Sequence, residues 1–330
     1  MVVSRNSRYS DDVRQALSAC LQRHLQPTHA LLVGYSGGLD STALLHAAAT
    51  LAPSLRFSLS AIHVHHGLSP NADAWAAHCE RFCARLGTPL LVVRVAVDNT
   101  HGQGLEAAAR SARYRAMLSQ PAQRIALAHH ADDQAETLLH NLLRGCGLRG
   151  AAAMPEIRRR ILRPFLDQPR QALLDYAKQQ ELNWIEDESN EDSAYTRNYL
   201  RNEVMPSIQA RFAQSGRSMA RAARHFAEAQ TLLDELAVID LHGHPAQFPL
   251  STGLLRPLST PRVKNLLRSL LTWQELQAPD ERRLNEFVRQ LISAAPDRHP
   301  RLHAANYQLR YARGAIHLTT DNAADSTIDD

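Results

Sequence analysis

The 330-residue chain is nearly devoid of lysine: Lys178 and Lys264 are its only lysines, and the rest of its 37 basic residues are arginine. No G-x-x-x-x-G-K-[ST] sequence is present, which excludes a Walker-type nucleotidase. A Schiff-base mechanism would have only these two lysines to use, and neither lies in a motif. Arginine suits phosphate binding, but a compositional bias of the source genome explains the excess equally well.

Cysteine and long apolar runs are also scarce. The four cysteines contain no C-x-x-C pair. We therefore expect them to be buried free thiols and not part of a disulfide framework or a four-thiolate metal site. No apolar run approaches the ~20 residues that span a bilayer, and residues 1–15 lack the apolar segment of a signal peptide. We therefore expect no membrane association and a cytoplasmic location.

The first half of the chain alternates between short apolar runs and helical patterns. The predicted strands cover residues 30–35, 57–64, 90–97 and 124–128, and the predicted helices cover residues 42–51, 73–86, 104–118 and 132–144. Such alternation predicts an α/β fold with a parallel sheet, whose ligands bind beyond the carboxyl ends of the strands.

The second half is dominated by helical patterns rich in alanine, arginine and leucine. At roughly 150 residues per domain, 330 residues suggest two domains. We predict an N-terminal catalytic domain over residues 1–206, an all-helical domain over residues 207–296, a hairpin over residues 297–320 and a disordered acidic tail over residues 321–330.

The most specific motif follows the first predicted strand and reads Ser36-Gly37-Gly38-Leu39-Asp40-Ser41. Its glycines allow a tight turn, and successive backbone N–H groups before a helix attract phosphate. Asp40 is suited to holding Mg²⁺ against the phosphates. The alternative is an ordinary capped turn in which Asp40 or Ser41 is the N-cap.

This hexapeptide resembles the phosphate-binding loop of ATP pyrophosphatases, which have an adenine nucleotide α-hydrolase-like, Rossmann-like sheet. Members of that superfamily split ATP into AMP and pyrophosphate and activate a carbonyl-like oxygen by adenylation. The resemblance implies that residues 36–41 bind ATP and that Asp40 binds Mg²⁺.

Three histidines end the second predicted strand, in the sequence H-V-H-H-G-L from His63 to Leu68. They are candidate zinc ligands, but no nearby cysteine or carboxylate completes a ligand set, so lining of a nucleotide pocket is favoured. The sequence is similar to H-V-x-H-G-L of lysidine synthetases, and we predict that His63 and His65 contact ATP.

Two further helical stretches carry charged residues on one face. Glu106, Arg110 and Arg113 have i, i+4, i+7 spacing, which is compatible with a solvated ion pair or with a face turned toward the nucleotide. Asp133 and Glu136 also share a face, where a carboxylate pair would grip Mg²⁺ or an amino group. Alternatively, the acidic residues merely cap the helix.

Both stretches resemble lysidine synthetase patterns, E-A-A-A-R-x-x-R-Y and H-H-x-D-D-Q-A-E-T. The resemblance implies that Asp133 and Glu136 bind the lysine substrate. The residues predicted to act in catalysis are Asp40, Arg110, His130, Asp133 and Glu136. Residues 163–166 and 184–201 continue the similarity, with Phe165 in place of a leucine.

The family resemblance implies a tRNA(Ile)-lysidine synthetase reaction. ATP adenylates the C2 oxygen of the wobble cytidine (C34) in a CAU-anticodon tRNA(Ile), and the lysine amine then displaces AMP. ATP, Mg²⁺, L-lysine and the tRNA are therefore the expected cofactors and partners, and a homodimer is left open. Helical faces rich in arginine suit an RNA backbone, and the predicted tRNA contacts are Arg197, Arg201, Arg217, Arg221 and Arg224.

Two alternatives remain at this stage. A tRNA thiolase of the same superfamily would want reactive or cluster-binding C-x-x-C cysteines, which the chain lacks. A non-catalytic RNA-binding protein on the same fold would be expected to have lost Asp40, Asp133 or Glu136, all of which are present.

Overall fold

The computed structural model describes residues 5–97, 105–186, 196–293 and 299–320. The chain forms two compact units, residues 1–227 and residues 228–330. The helices that begin in the first unit are α1 (Arg5–His24), α2 (Leu39–Leu55), α3 (Ala72–Arg85), α4 (Leu105–Leu118), α5 (Ala131–Leu143), α6 (Leu148–Ala151), α7 (Arg170–Gln179), α8 (Thr196–Tyr199), α9 (Met205–Arg211) and α10 (Ser215–Asp240). Its strands are β1 (Ala30–Gly34), β2 (Ser58–His65), β3 (Leu90–Arg94), β4 (Arg124–Ala126), β5 (Ile157–Arg158) and β6 (Ile161–Leu162).

The six strands form one sheet in the order β3-β2-β1-β4-β6-β5. All neighbours pair in parallel except β5, which is antiparallel to β6. The chain moves outward from β1 to β3 and then returns to place β4 on the other side of β1. The carboxyl ends of β1 and β4 therefore flank the point where the strand order reverses, which is where open α/β sheets bind their ligands.

Apolar residues cover both faces of this sheet, as a buried parallel sheet requires. Leu31 and Val33 of β1 pack into a core with α1, α2, α3 and α7, whereas Leu32 packs with Met117 of α4 and Ile125 of β4. This alternation is the period of two expected of a strand. The predicted α/β class with a parallel sheet is confirmed.

Helix α1 was not predicted from the sequence. It buries Val13, Leu17, Cys20 and Leu21, whose spacing marks one face of a helix. The α1 helix packs against α2 and α7, so it covers one face of the sheet.

The helices that follow residue 196 begin with an irregular turn. A π-helical turn, Leu200–Val204, joins α8 to α9. In α10, Ala223 is fully buried and clusters with Leu138 of α5 and with Ala151. The first unit therefore extends to Ala227, whereas the sequence placed a domain boundary after residue 206.

The second unit combines helices with an antiparallel sheet. Its elements after α10 are β7 (Leu250–Ser251), α11 (Thr260–Trp273), α12 (Glu281–Ser293), β8 (Arg301–His303), β9 (Tyr307–Ala312) and β10 (Ala315–Thr320). The sheet order is β7-β10-β9-β8, and its core includes Leu266, Phe287 and Leu309. The sequence predicted an all-helical domain with a separate hairpin; the difference arises because β7 and β8 have only two and three residues.

No helix among the described residues is long and apolar enough to span a membrane. The predicted disordered tail over residues 321–330 lies outside the described residues, as does most of the acidic stretch after Ile185.

Candidate active site

The loop of residues 36–41 joins β1 to α2 at the reversal point of the sheet. Gly37 has a φ of +90°, and a Cβ atom there would lie 2.7 Å from Ile185 Cδ1 and 3.0 Å from Cys79 Sγ. Backbone conformation and close packing both require glycine at this position. The Ile185 amide donates a hydrogen bond to the Gly37 carbonyl at 2.9 Å, which ties the segment after α7 to the loop.

Serine hydroxyls hold the rest of the loop. The Ser36 amide donates to Ser41 Oγ at 3.2 Å, and the Ser41 hydroxyl donates to the Gly38 carbonyl at 3.0 Å. Gly38 is the N-cap of α2 and provides no side-chain cap, and Leu39 begins the helix. The uncapped N-terminus of a helix suits an anion. The loop thus has the geometry expected of a phosphate site, and its binding of ATP stays a prediction.

Asp40 lies in the first turn of α2, and one of its carboxylate oxygens lacks a hydrogen-bond partner. Oδ1 is buried without a partner, whereas Oδ2 lies 3.7 Å from His130 Nε2. The nearest cationic group to Oδ1 is Arg170 Nε, at 3.7 Å. An unpartnered, buried carboxylate oxygen beside a phosphate-type loop is a suitable ligand for Mg²⁺, so the residues fit the predicted metal.

His130 is the N-cap of α5 and forms hydrogen bonds with the first turn of that helix. The His130 amide donates to Asp133 Oδ2 at 3.0 Å, and the Asp133 amide donates to His130 Nδ1 at 3.4 Å. This reciprocal cap is a variant of the capping box. Asp132 Oδ2 accepts a hydrogen bond from the Arg170 amide at 2.9 Å and lies 3.7 Å from His130 Nδ1. Asp133 and Glu136 remain on the inner face and are 7% and 3% exposed.

Two arginines occupy this carboxylate pair. Arg201 donates from Nε to Glu136 Oε1 at 2.7 Å and from Nη2 to both Glu136 Oε2 and Asp133 Oδ1, at 2.9 and 2.8 Å. Arg197 lies 3.5 Å from Glu136 Oε2 and 3.7 Å from Asp133 Oδ1. Two of the residues predicted to bind tRNA, Arg197 and Arg201, therefore form one ion-pair network with the residues predicted to bind lysine.

Burial and charge shift the pKa values of this network in opposite directions. Burial alone would raise the pKa of Asp133, but His130, His129 and the two arginines lower it to about 2. Burial would lower the pKa of His130, but Asp133 and Asp40 outweigh it and raise that pKa above its usual value. Glu136 and Asp133 raise the pKa of Arg201, although burial opposes them. His130 thus lies among the carboxylates of Asp133, Asp40 and Asp132, which raise its pKa, whereas its Nδ1 can accept the Asp133 amide only in the neutral form of the ring.

The histidines at the carboxyl end of β2 make hydrogen bonds within the protein. His63 Nδ1 lies 3.0 Å from the Tyr35 carbonyl, and His65 Nε2 lies 3.1 Å from Asp73 Oδ1. Their predicted contact with ATP is not tested by these bonds. His66, which sequence reasoning did not select, has a buried Nδ1 without a hydrogen-bond partner. The run of three histidines indicates a site that includes His66, but the sequence does not show which of the three rings has a nitrogen without a hydrogen-bond partner.

The remaining predicted residues lie on helices. Arg110 packs its guanidinium 5.0 Å from the centre of the Tyr114 ring. Arg217, Arg221 and Arg224 are exposed on α10, and Arg224 Nη1 lies 3.1 Å from Asp167 Oδ1. The exposed face keeps the accessibility that a tRNA contact needs, and this role stays a prediction.

Two family models cover most of the chain. A PP-loop domain matches residues 9–208, and a TilS substrate-binding domain matches residues 250–317. A curated tRNA(Ile)-lysidine synthase from Alkalilimnicola ehrlichii is 46% identical over 90% of this chain and 69% of its own length. The chain belongs to the tRNA(Ile)-lysidine synthase family. Proteins of the same name from Nitrosomonas europaea and Actinobacillus pleuropneumoniae are 38% and 41% identical, over 92% and 90% of this chain and 68% and 72% of theirs.

A solved structure supports the fold assignment. The U34-tRNA thiolase from Methanococcus maripaludis superposes with a TM-score of 0.55 at 16% identity, over 67% of this chain and 80% of that chain. This similarity concerns the fold alone.

Three of the four cysteines do not resemble reactive thiols. Cys20, Cys79 and Cys83 are buried, and burial raises their pKa values to about 12, 12 and 11. A thiol is nucleophilic as its thiolate, which such pKa values suppress. Membership of the lysidine synthase family and the state of these thiols both disfavour the thiolase alternative.

Proposed function

We propose that the chain uses ATP to attach lysine to C2 of the wobble cytidine of tRNA(Ile) with a CAU anticodon, forming lysidine, AMP and pyrophosphate. The observation that carries this proposal is the convergence, at the reversal point of the sheet, of a phosphate-type loop with a buried carboxylate pair. His130 links them, since its Nε2 lies 3.7 Å from Asp40 Oδ2 and 3.4 Å from Asp133 Oδ2.

In the first step, the C2 oxygen of the cytidine attacks the α-phosphorus of ATP and pyrophosphate leaves. The backbone N–H groups of residues 36–41 and the start of α2 bind the polyphosphate. Asp40 would hold Mg²⁺, which offsets the charge of the leaving pyrophosphate when bound. The cytidine must be turned out of the anticodon stack to reach this loop.

In the second step, the lysine side-chain amine attacks C2 of the cytidine, and AMP leaves with the C2 oxygen. Asp133 and Glu136 select the cationic side chain of lysine. In the structure these carboxylates already hold Arg201, so the lysine ammonium has to replace that guanidinium. Arg201 is thereby an internal competitor of the substrate.

The deciding experiment measures transfer of radiolabelled lysine to unmodified tRNA(Ile) with a CAU anticodon, beside the same tRNA with uridine at position 34. We expect transfer to the cytidine tRNA alone. Asp40→Ala should abolish transfer, and Asp12→Ala should not, because Asp12 is exposed on α1. AMP release without lysine transfer would indicate another nucleophile, and a lack of ATP cleavage would overturn the enzymatic proposal.

A further inference from the structure

A second group of charged side chains lies at the same edge of the sheet, and it is basic. Arg110 and Tyr114 are on α4, and Arg163 directly follows β6. His129, at the end of β4, lies within the electrostatic reach of both arginines. Of these residues only Arg110 was predicted to act in catalysis, although Tyr114 and Arg163 lie in stretches that resemble lysidine synthetase patterns.

Arg163 is a buried cation with an incomplete set of partners. It is 5% exposed, its Nη1 donates to the Pro155 carbonyl at 3.0 Å, and its buried Nε has no hydrogen-bond partner. Among the side chains that the structure describes, no carboxylate forms an ion pair with it. Burial accordingly lowers the pKa of Arg163. A buried guanidinium in this state calls for an anion.

Tyr114 connects Arg163 to Arg110. The Arg110 guanidinium lies over the Tyr114 ring, and its Nη2 donates to the phenolic oxygen at 3.2 Å. The phenol also forms a side-chain hydrogen bond with Arg163. The ring itself packs in the apolar cluster that contains Leu32 and Ile62. A fixed phenol therefore holds two like-charged guanidiniums near each other, which repulsion would otherwise separate.

The charged groups that act on Tyr114 are all arginines, and the carboxylate that acts on the neighbouring His129 is that of Asp133. Arg113 is a third guanidinium that acts on Tyr114, and the three arginines together lower the pKa of its phenol although burial opposes them. Burial lowers the pKa of His129 to about 3; Asp133 opposes this shift, and Arg163, Arg197 and Arg110 add to it, so the ring is neutral. His129 Nδ1 is another buried polar atom without a hydrogen-bond partner.

We propose that Arg110 and Arg163 bind a phosphate group and that Tyr114 is the residue that positions both guanidiniums for it. This inference rests on the proposed function, which supplies two phosphate sources: the phosphates of ATP and the backbone of the tRNA. The planar guanidinium forms paired hydrogen bonds to phosphate oxygens. The site is distinct from the loop of residues 36–41 in using side-chain cations in place of backbone N–H groups.

The test uses the full chain with Tyr114→Phe, Arg163→Met and Arg163→Lys. Tyr176→Phe is the control, because Tyr176 is a buried tyrosine whose hydroxyl likewise has a side-chain partner, His46 at 2.8 Å, in the core between α2 and α7. Binding of ATP without tRNA, and of unmodified tRNA without ATP, are measured separately, so the result does not depend on lysine transfer.

For Tyr114→Phe we expect roughly 10-fold weaker binding of one ligand, the effect of a lost charge-assisted hydrogen bond. Arg163→Met should bind that ligand more weakly still, and the affinity of Arg163→Lys should lie between those of Arg163→Met and the wild type. If the phosphate belongs to the tRNA, Arg163→Met should also reduce the magnitude of the slope of log K for tRNA against log salt concentration by about one. An ATP source would leave that slope unchanged.

The proposal is overturned if Tyr114→Phe and Arg163→Met bind both ligands as the wild type does. It is also overturned if they lower only the melting temperature, as a purely structural role would. Failure of lysine transfer in the wild-type chain would refute the proposed function without deciding this test, since the two binding measurements stand on their own.

Discussion

Replacing Arg201 with methionine tests whether this arginine competes with lysine. The change removes the three hydrogen bonds to Glu136 and Asp133 but keeps a long apolar side chain. Hydrogen bonds to charged groups contribute roughly 1.5–3 kcal/mol net. Because the Arg201 side chain is 38% exposed, solvent screens the interaction, and we take the lower part of that range, about 2 kcal/mol for the whole contact.

An internal competitor worth about 2 kcal/mol weakens lysine binding about 30-fold. We therefore expect Arg201→Met to bind lysine about 30-fold more tightly than the wild type in the absence of tRNA. Equilibrium dialysis with labelled lysine measures this directly. Arg211→Met is the matched control, because Arg211 is exposed on α9.

The same variant should unfold more easily, because Glu136 and Asp133 lose their hydrogen-bonded guanidinium and keep Arg197 only at 3.5 and 3.7 Å. Saturating lysine should restore more of the melting temperature in Arg201→Met than in the wild type, since ligand binding stabilises in proportion to ln(1 + [L]/Kd). Unchanged or weaker lysine binding in Arg201→Met would refute the competitor argument.

Two further predictions concern stability. The pKa of His129 in the folded chain is about 3, whereas its ordinary value is 6.5. Between these pH values the unfolded chain binds a proton at His129 and the folded chain does not. This contribution to the stability of the fold is therefore full above pH 6.5 and is lost as the pH falls toward 3. The free energy of unfolding, measured with urea, should decrease from pH 7.5 to pH 5 by about 2 kcal/mol less in His129→Asn than in the wild type. An equal decrease in both proteins would contradict this prediction. Arg160 donates to the carbonyls of Leu118, Gln120 and Ala122 at the end of α4, so Arg160→Met should destabilise the chain by about 2 kcal/mol. Filter binding should detect unchanged tRNA affinity, and a weakened affinity without loss of stability would assign Arg160 to the RNA instead.

The sequence predicts the sheet well because its signals are local. Each of the four predicted strands overlaps an observed strand, and the loop of residues 36–41 lies where strand–helix alternation places it. Helix α1 escaped prediction because Val13, Leu17 and Leu21 are dispersed among charged and polar residues. Strands β7 and β8 escaped it because two or three residues are too few to show a period.

The pairing of charges was not predictable in the same way. The sequence shows that Asp133 and Glu136 share a helical face, but their partner Arg201 lies 65 residues or more along the chain. No local pattern indicates which arginine among many meets a given carboxylate. Arg197 and Arg201 were predicted as RNA contacts from their charge, and the family resemblance of residues 184–201 also suggested a shared active-site role; the three-dimensional arrangement shows that their partners are Asp133 and Glu136.

This arrangement bears on how the amine of lysine becomes reactive. An ammonium held by Asp133 and Glu136 is stabilised in its charged form, so the carboxylates that would select lysine also oppose loss of its proton. Asp133, with a pKa of about 2, is too weak a base to remove that proton. The amine must leave the carboxylates to react, and this would expose two buried negative charges. In the proposed reaction Arg201 would return to them as the amine departs, so the guanidinium that would compete with lysine before the reaction would also stabilise the site once lysine has moved toward the cytidine.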